Sequence, residues 1–208
     1  MVEKKQKNRS KGRRNHKPSN ESSSRILAPE HQKIALIGFR GVGKSLISQR
    51  LATSWNTTHI SLDESITRKA GQSISEFVKA SGWDAFRALE LEVLKEISES
   101  IPQLVLDTGG GVVEGPEKNK SQEKIDILKR CFFCIYLYMD DDKLLERLKS
   151  SSGNAYRPSI AGSDAELKEV LRRRKPWYQE AADAIIDVSD VSVSEAAERV
   201  AQILRRVG

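Results

Sequence analysis

The sequence predicts a three-layer α/β domain, a mainly parallel five-stranded sheet with helices on both faces. Three observations carry this. Short apolar runs alternate with longer segments of helical periodicity from Lys33 to the C-terminus. Strands separated by helical segments need crossover connections, which favour parallel pairing with the helices covering the sheet. A glycine-rich loop lies between the first apolar run and the first amphipathic segment, where an α/β sheet binds anions.

Residues 1–33 hold 10 Lys/Arg against 3 Asp/Glu, although the whole chain is only +6. The remaining residues are therefore close to neutral, and the charge gives no ground for a nucleic-acid-binding body. Residues 1–32 form a leader rich in Lys, Arg, Asn and Ser, too poor in packing residues to offset ordering entropy, so disorder is expected there. Its functional readings are a polyanion-binding arm, through the eight basic residues between Lys4 and Lys17, or an organelle-targeting peptide. Dense lysine and the lack of an amphipathic face speak against targeting. The domain is read as residues 33–208. No run reaches the roughly 18 apolar residues of a membrane span. The two cysteines suit a reducing compartment, so a soluble cytoplasmic protein is expected.

In chain order, strands are expected at Lys33–Gly38, His59–Leu62, Gln103–Leu106, Cys131–Met139 and Ala184–Val188. Helices are expected at Lys44–Trp55, Trp83–Ser98, Asp141–Ser150, Asp164–Asp183 and Ser192–Val207. In the last, Ala197, Val200, Ala201 and Leu204 recur at three- and four-residue spacing.

Gly38-Phe39-Arg40-Gly41-Val42-Gly43-Lys44-Ser45 fits G-x-x-x-x-G-K-[ST], with a strand before it and a helix after it. Glycines let the backbone curl until its amides face phosphate oxygens, and the helix N-terminus adds positive potential. Gly38, Gly41, Val42, Gly43, Lys44, Ser45 and Leu46 are the expected nucleotide contacts. Lys44 reaches the β- and γ-phosphates and the Ser45 hydroxyl ligates Mg²⁺. One such domain with no further modules favours a small-molecule kinase. Asp63 follows the second strand at the carboxyl edge, where open parallel sheets bind ligands. Gly109, Gly110 and Gly111 follow the third, and Arg87 and Arg174 are suited to gripping a carboxylate through paired donors. Arg157 lies in a loop between two helices, suited to a lid.

These parts, in this order, resemble shikimate kinase from Lys33 to the C-terminus. The matching tracts are the phosphate loop, Ser61-Leu62-Asp63, Gly82 to Arg87, Thr108 to Gly111, Asn154 to Pro158 and Arg173 to Tyr178. Gly82–Leu94 and Arg173–Glu180 look particularly like the kinase domain of the fungal multifunctional aromatic-pathway polypeptide. The resemblance implies phosphoryl transfer from ATP to the 3-hydroxyl of shikimate by a monomer. It assigns Asp63 to the attacking hydroxyl, Arg87 and Arg174 to the substrate carboxylate, and backbone of Gly109–Gly111 to substrate. Glu90 would orient Arg87, Arg157 would close over the phosphates, and Arg147 would stand beside adenine. The alternative is a module on the same scaffold that binds shikimate or quinate without turnover.

One position departs from the pattern. The family has Asp-x-Asp after the second strand, and here the first of the pair is Ser61. Asp107, closing an apolar strand, is the candidate to supply the missing charge near Mg²⁺. Asp63 has a competing reading as a helix cap, and Arg87 one as a partner of Glu90 or Glu92. Arg172, Arg173 and Arg174 are adjacent, so the choice of Arg174 depends on register. Cys131 and Cys134 have Cys-x-x-Cys spacing, but one strand would place their thiols on opposite faces, so they are read as core.

Overall fold

The computed structural model describes residues 33–150 and 163–207. The leader and the loop carrying Arg157 lie outside the described residues. Five strands form one all-parallel sheet in the order β2-β3-β1-β4-β5. They are β1 (Lys33–Ile37), β2 (Thr58–Ser61), β3 (Leu104–Asp107), β4 (Phe133–Tyr138) and β5 (Ala184–Asp187). The helices are α1 (Lys44–Trp55), α2 (Leu62–Ala70), α3 (Ile74–Ser100), α4 (Gln122–Cys131), α5 (Asp141–Ser150), α6 (Asp164–Ala181) and α7 (Val193–Val207).

The three central strands are the most apolar, because both of their faces are covered. β3 is buried throughout, and β1 is buried from Ile34 to Ile37. The edge strands β2 and β5 are partly exposed. Helix α1 packs on α7 and on β1, β2 and β3, whereas α4 packs on β4, α3 and α6. One continuous apolar core joins these layers.

The sequence reading allowed a helix after Asp63 only as a competing role for that residue, and missed the first half of α3 and all of α4. Charged residues outnumber apolar ones in α2 and α4, leaving only Leu62 and Ile66, or Ile125, Ile127 and Leu128, as buried apolar anchors. Cys131 ends α4 and only Cys134 lies on a strand, so opposite strand faces do not explain this pair. Cys134 is a buried free thiol pushed up in pKa by burial and by Asp183, while Cys131 is half-buried. Both are thiols of the packed interior and its margin.

Among the described residues, helix starts follow one rule with one exception. Ser61, Ser73, Ser121, Ser163 and Ser192 each accept a hydrogen bond from a first-turn amide, and Asp140 does so for α5. Such caps satisfy amide groups that the helix cannot pair itself. Helix α1 begins instead at Gly43, with no side-chain cap and no acid in its first turn. Its amides are left to the phosphate loop.

Gly82 interrupts α3 with φ 82° and ψ 170°, while nothing lies within 4 Å of where a Cβ would stand. Backbone conformation alone, and not space, requires glycine there. Gly82→Ala is expected to cost about 1–3 kcal/mol of stability, read as a lower denaturant midpoint with an unchanged m-value.

Candidate active site

The phosphate loop leaves β1 and enters α1 through three glycines with positive φ, at 139° for Gly38, 89° for Gly41 and 101° for Gly43. A Cβ on Gly38 would stand 2.5 Å from the Leu137 carbonyl oxygen of the neighbouring strand. Glycine is therefore needed for both conformation and clearance. Lys44 is buried, and its Nζ donates to the carbonyls of Gly38 (2.9 Å) and Phe39 (3.0 Å). The ammonium thus lies across the mouth of the loop. Val42 packs into the core, whereas Ser45 and Leu46 face outward at the start of α1.

On the far side of the loop, Val42, Gly43 and Ile47 line a cavity with Arg147 of α5 and with Val188, Val191 and Ser192. Arg147 therefore stands beside the phosphate loop. The Val188–Ser192 segment was missed because nothing in its composition distinguishes it from an ordinary strand-to-helix connection.

A second cavity opens at the carboxyl edge of the sheet. It is lined by Arg40 of the phosphate loop, Asp63, Ile74, Trp83, Phe86, Arg87, Glu90 and the three glycines Gly109–Gly111. Asp63 reaches it from the first turn of α2. Ser61, and not Asp63, is the cap of that helix, accepting from the Glu64 amide at 3.3 Å. The competing role for Asp63 is thus filled by the residue that departs from the family pattern.

The three glycines are buried, and each yields its Cβ volume to a different neighbour. A Cβ on Gly109 would stand 2.7 Å from Asp63 Oδ1, one on Gly110 would stand 2.7 Å from the Arg40 nitrogen, and one on Gly111 would stand 2.3 Å from Arg87 Nη2. These glycines were expected to expose amides to a substrate. In the fold they also admit the catalytic carboxylate candidate, the phosphate loop and a guanidinium to one short stretch of backbone.

Arg87 is nearly buried, with its guanidinium carbon 5.4 Å from the Trp83 ring centroid and 5.2 Å from that of Phe86. It donates to Glu90 Oε2 at 2.8 Å and to Glu114 Oε2 at 2.9 Å. Of the three adjacent arginines, Arg172 is exposed and paired with Glu169, Arg173 is half-buried, and Arg174 is buried. Arg174 is thus the one of the three that turns inward. Arg174 donates to the Gly110 carbonyl at 3.0 Å and to Glu114 Oε2, and Arg173 reaches Glu114 Oε1 at 2.5 Å. Tyr178, one turn further along α6, is buried, stacks on Tyr136 at 5.2 Å and also donates to the Gly110 carbonyl.

Arg174 does not line the cavity that holds Asp63. It lines an adjoining one with Glu114, Arg173 and Lys118, and Arg87 and Trp83 form the shared wall. The two candidate carboxylate-gripping arginines therefore meet on Glu114. Sequence reading missed Glu114 and also Lys124, whose Nζ donates to Glu90 Oε2 at 2.5 Å and to the Glu114 carbonyl at 2.8 Å.

Burial raises the pKa of the Glu90 carboxyl, but the Lys124 and Arg87 charges outweigh it and hold that group below the ordinary carboxylate value. Glu114 is lowered in the same way, burial being overcome chiefly by Arg174, with Arg87 and Arg173 assisting. Burial lowers the Lys124 ammonium despite Glu90. Within the buried cluster Arg87, Arg173, Arg174 and Lys124 thus stand against Glu90 and Glu114, with Asp63 across the cavity from them.

Asp107 ends β3 beside Ser61 of β2 and Leu36 of β1. It is buried, and its Oδ1 has no hydrogen-bond partner. A buried carboxylate oxygen left unsatisfied by the protein fits a further polar or cationic partner. Among the described residues no group of three or more His, Cys, Asp or Glu could hold a metal ion. A cation here would need ligands beyond side chains, as Mg²⁺ on a nucleotide has from phosphates and water.

Comparison with known proteins shows the family and the fold. A sequence model of the shikimate kinase family matches residues 40–205. The shikimate kinase of Enterococcus faecalis is 36% identical over 174 residues, covering 84% of this chain and 99% of that protein. The structure of shikimate kinase from Acinetobacter baumannii in complex with shikimate superposes with a TM-score of 0.75 at 26% identity, covering 86% of this chain and 95% of that one. A gluconokinase from Sinorhizobium meliloti, at 14% identity and a TM-score of 0.54, shares the fold alone.

The charge cluster makes a stability prediction. Glu90→Gln leaves Lys124 and Arg87 short of a buried counter-charge and is expected to cost about 3–5 kcal/mol at pH 7. Glu90 and Glu114 titrate below the ordinary value near 4.5, so their contribution is complete above that value and drains away as pH falls through their folded pKa values. The deficit of the variant, followed by denaturant unfolding across pH, should therefore shrink only below about pH 4.5.

Proposed function

Because the chain belongs to the shikimate kinase family, we propose that Asp63 and the arginine cluster direct phosphoryl transfer from ATP to the 3-hydroxyl of shikimate. One observation carries this assignment. Asp63, Arg87 and Gly109–Gly111 line a single cavity whose remaining wall includes Arg40 of the phosphate loop. An acceptor held in that cavity lies next to the place where the loop receives a terminal phosphate.

In this reading the ATP phosphates lie against the amides of Gly38–Leu46 and the open first turn of α1, with Lys44 turning from the loop carbonyls to their charge. The base lies toward Arg147 and the Val188–Ser192 segment. Arg87 holds the shikimate carboxylate, with Arg174 as second donor, and Glu90 fixes the guanidinium of Arg87. The 3-hydroxyl oxygen attacks the γ-phosphorus as the bond to the β-γ bridging oxygen breaks. ADP leaves and the hydroxyl proton passes to Asp63. The role of Arg157 rests on the resemblance alone, since that residue lies outside the described ones.

The Ser45 hydroxyl and the Asp107 carboxylate are the residues that would hold Mg²⁺, which when bound neutralises phosphate charge. Ser61 leaves the metal's surroundings one negative charge poorer than the family pattern, and Asp107 restores it from the neighbouring strand. No helix among the described residues is long and apolar enough to cross a membrane.

ADP release with ATP and Mg²⁺ should be detected with shikimate and not with quinate, gluconate or nucleoside monophosphates. Asp63→Asn should lower kcat by about 10²–10⁴-fold, and turnover by that variant at the wild-type rate would refute its role. Asp107→Asn should raise the Mg²⁺ concentration for half-maximal nucleotide binding, and Ser61→Asp should reverse part of that rise in the double variant. An unchanged Mg²⁺ requirement in Asp107→Asn would remove Asp107 from the metal site.

A further inference from the structure

Glu114 occupies a peculiar place for a carboxylate. It is buried, four residues beyond the middle glycine, and three guanidinium groups converge on its two oxygens. Arg87 and Arg174 bind the same atom, Oε2. Two arginines sharing one carboxylate oxygen is the arrangement a bound acid would be expected to create. Here a side chain of the protein creates it. Arg174 is further tied to the Gly110 carbonyl and stands outside the cavity of Asp63, Arg87 and the glycines.

We propose that Glu114 is an internal stand-in for the substrate carboxylate, holding Arg87 and Arg174 in the resting enzyme and giving them up when an acid enters the cavity. The inference rests on the assignment of shikimate as the acceptor. Exchange is feasible because one carboxylate replaces another on the same donors, so the arginines are never left buried without a counter-charge. Glu114 need not be stranded when released. Arg173, half-buried on its other oxygen, and Lys124, on its own carbonyl, remain as partners. The cost of the exchange falls on affinity. A substrate that must displace an internal competitor binds more weakly than one entering a vacant clamp, by the fraction of molecules in which the clamp is released. Acceptors without a carboxylate cannot offer the replacement charge, and so Glu114 also contributes to selectivity.

Glu114→Gln, which keeps the shape and removes the charge, tests this in the full-length chain. The variant should show a shikimate KM at least threefold lower than wild type with kcat within about twofold. Its unliganded Tm should fall, and the rise in Tm produced by shikimate should exceed that of the wild type. The methyl ester of shikimate, which has no charge to exchange, should gain nothing from the substitution. A shikimate KM that rises, or an equal gain for the ester, would show that Glu114 only positions the arginines and would overturn the proposal. Should Glu114→Gln fail to fold, Glu114→Asp, whose shorter carboxylate holds both arginines less well, should still lower KM, and an increase there overturns it equally. The wild-type arm separates the two levels. If shikimate neither raises its Tm nor supports turnover, the acceptor assignment fails and the stand-in falls with it. If shikimate does both and the variants gain nothing, only the stand-in fails.

Discussion

The run from Gly109 to Gly111 has no side-chain volume, and the rest of the site depends on that. At the carboxyl end of β3 the backbone is approached by the Asp63 carboxylate, the Arg40 nitrogen of the phosphate loop and the Arg87 guanidinium, each within 3 Å of where a Cβ would stand. The Gly110 carbonyl meanwhile accepts from Arg174 and Tyr178. A methyl group at any of the three positions would move one of these groups, and close packing leaves little room for a neighbour to yield. Groups from α2, the phosphate loop, α3 and α6 are thus registered against one peptide segment. Such mutual positioning is the larger part of what phosphoryl transfer asks of a protein.

Around this segment lies a buried electrostatic cluster that is stable only as a whole. Glu90 and Glu114 remain ionised because Arg87, Arg174 and Lys124 stand against them, and those cations tolerate burial because the carboxylates are there. Removing any member leaves its partners uncompensated in a poorly hydrated place. An apolar core of equal volume would serve stability as well or better. The cluster stands instead beside Asp63, with Arg87 and Glu90 lining the same cavity. The phosphate loop follows the same logic, since α1 is the helix whose start has no side-chain cap among those described.

Much of this was legible in the residues. The phosphate loop could be read because its chemistry is local: three glycines with positive φ, a lysine and a serine within eight positions. Asp63 and Arg87 could be read because each follows a recognisable strand or sits on an amphipathic helix. Helix α4 was not legible and α2 was only a helix start after Asp63, since few apolar anchors stand among many charges and their burial is supplied by α3, α6 and the sheet. Lys124 was lost with α4. Glu114 was lost because an acid after a glycine run has no signature of its own.

By itself the sequence determined the succession of the five strands, the helices α1, α5, α6 and α7 and the phosphate loop, because those follow from periodicity and from short contiguous motifs. Which arginine of three adjacent ones turns inward, which carboxylate it meets, and that Ser61 caps a helix while Asp107 lies beside it were decided only by the tertiary structure. The partners Arg87 and Glu114 are 27 residues apart, and Arg174 and Glu114 are 60 apart. Such pairings form when a parallel sheet brings the ends of separate crossovers to one edge, and no local pattern encodes them.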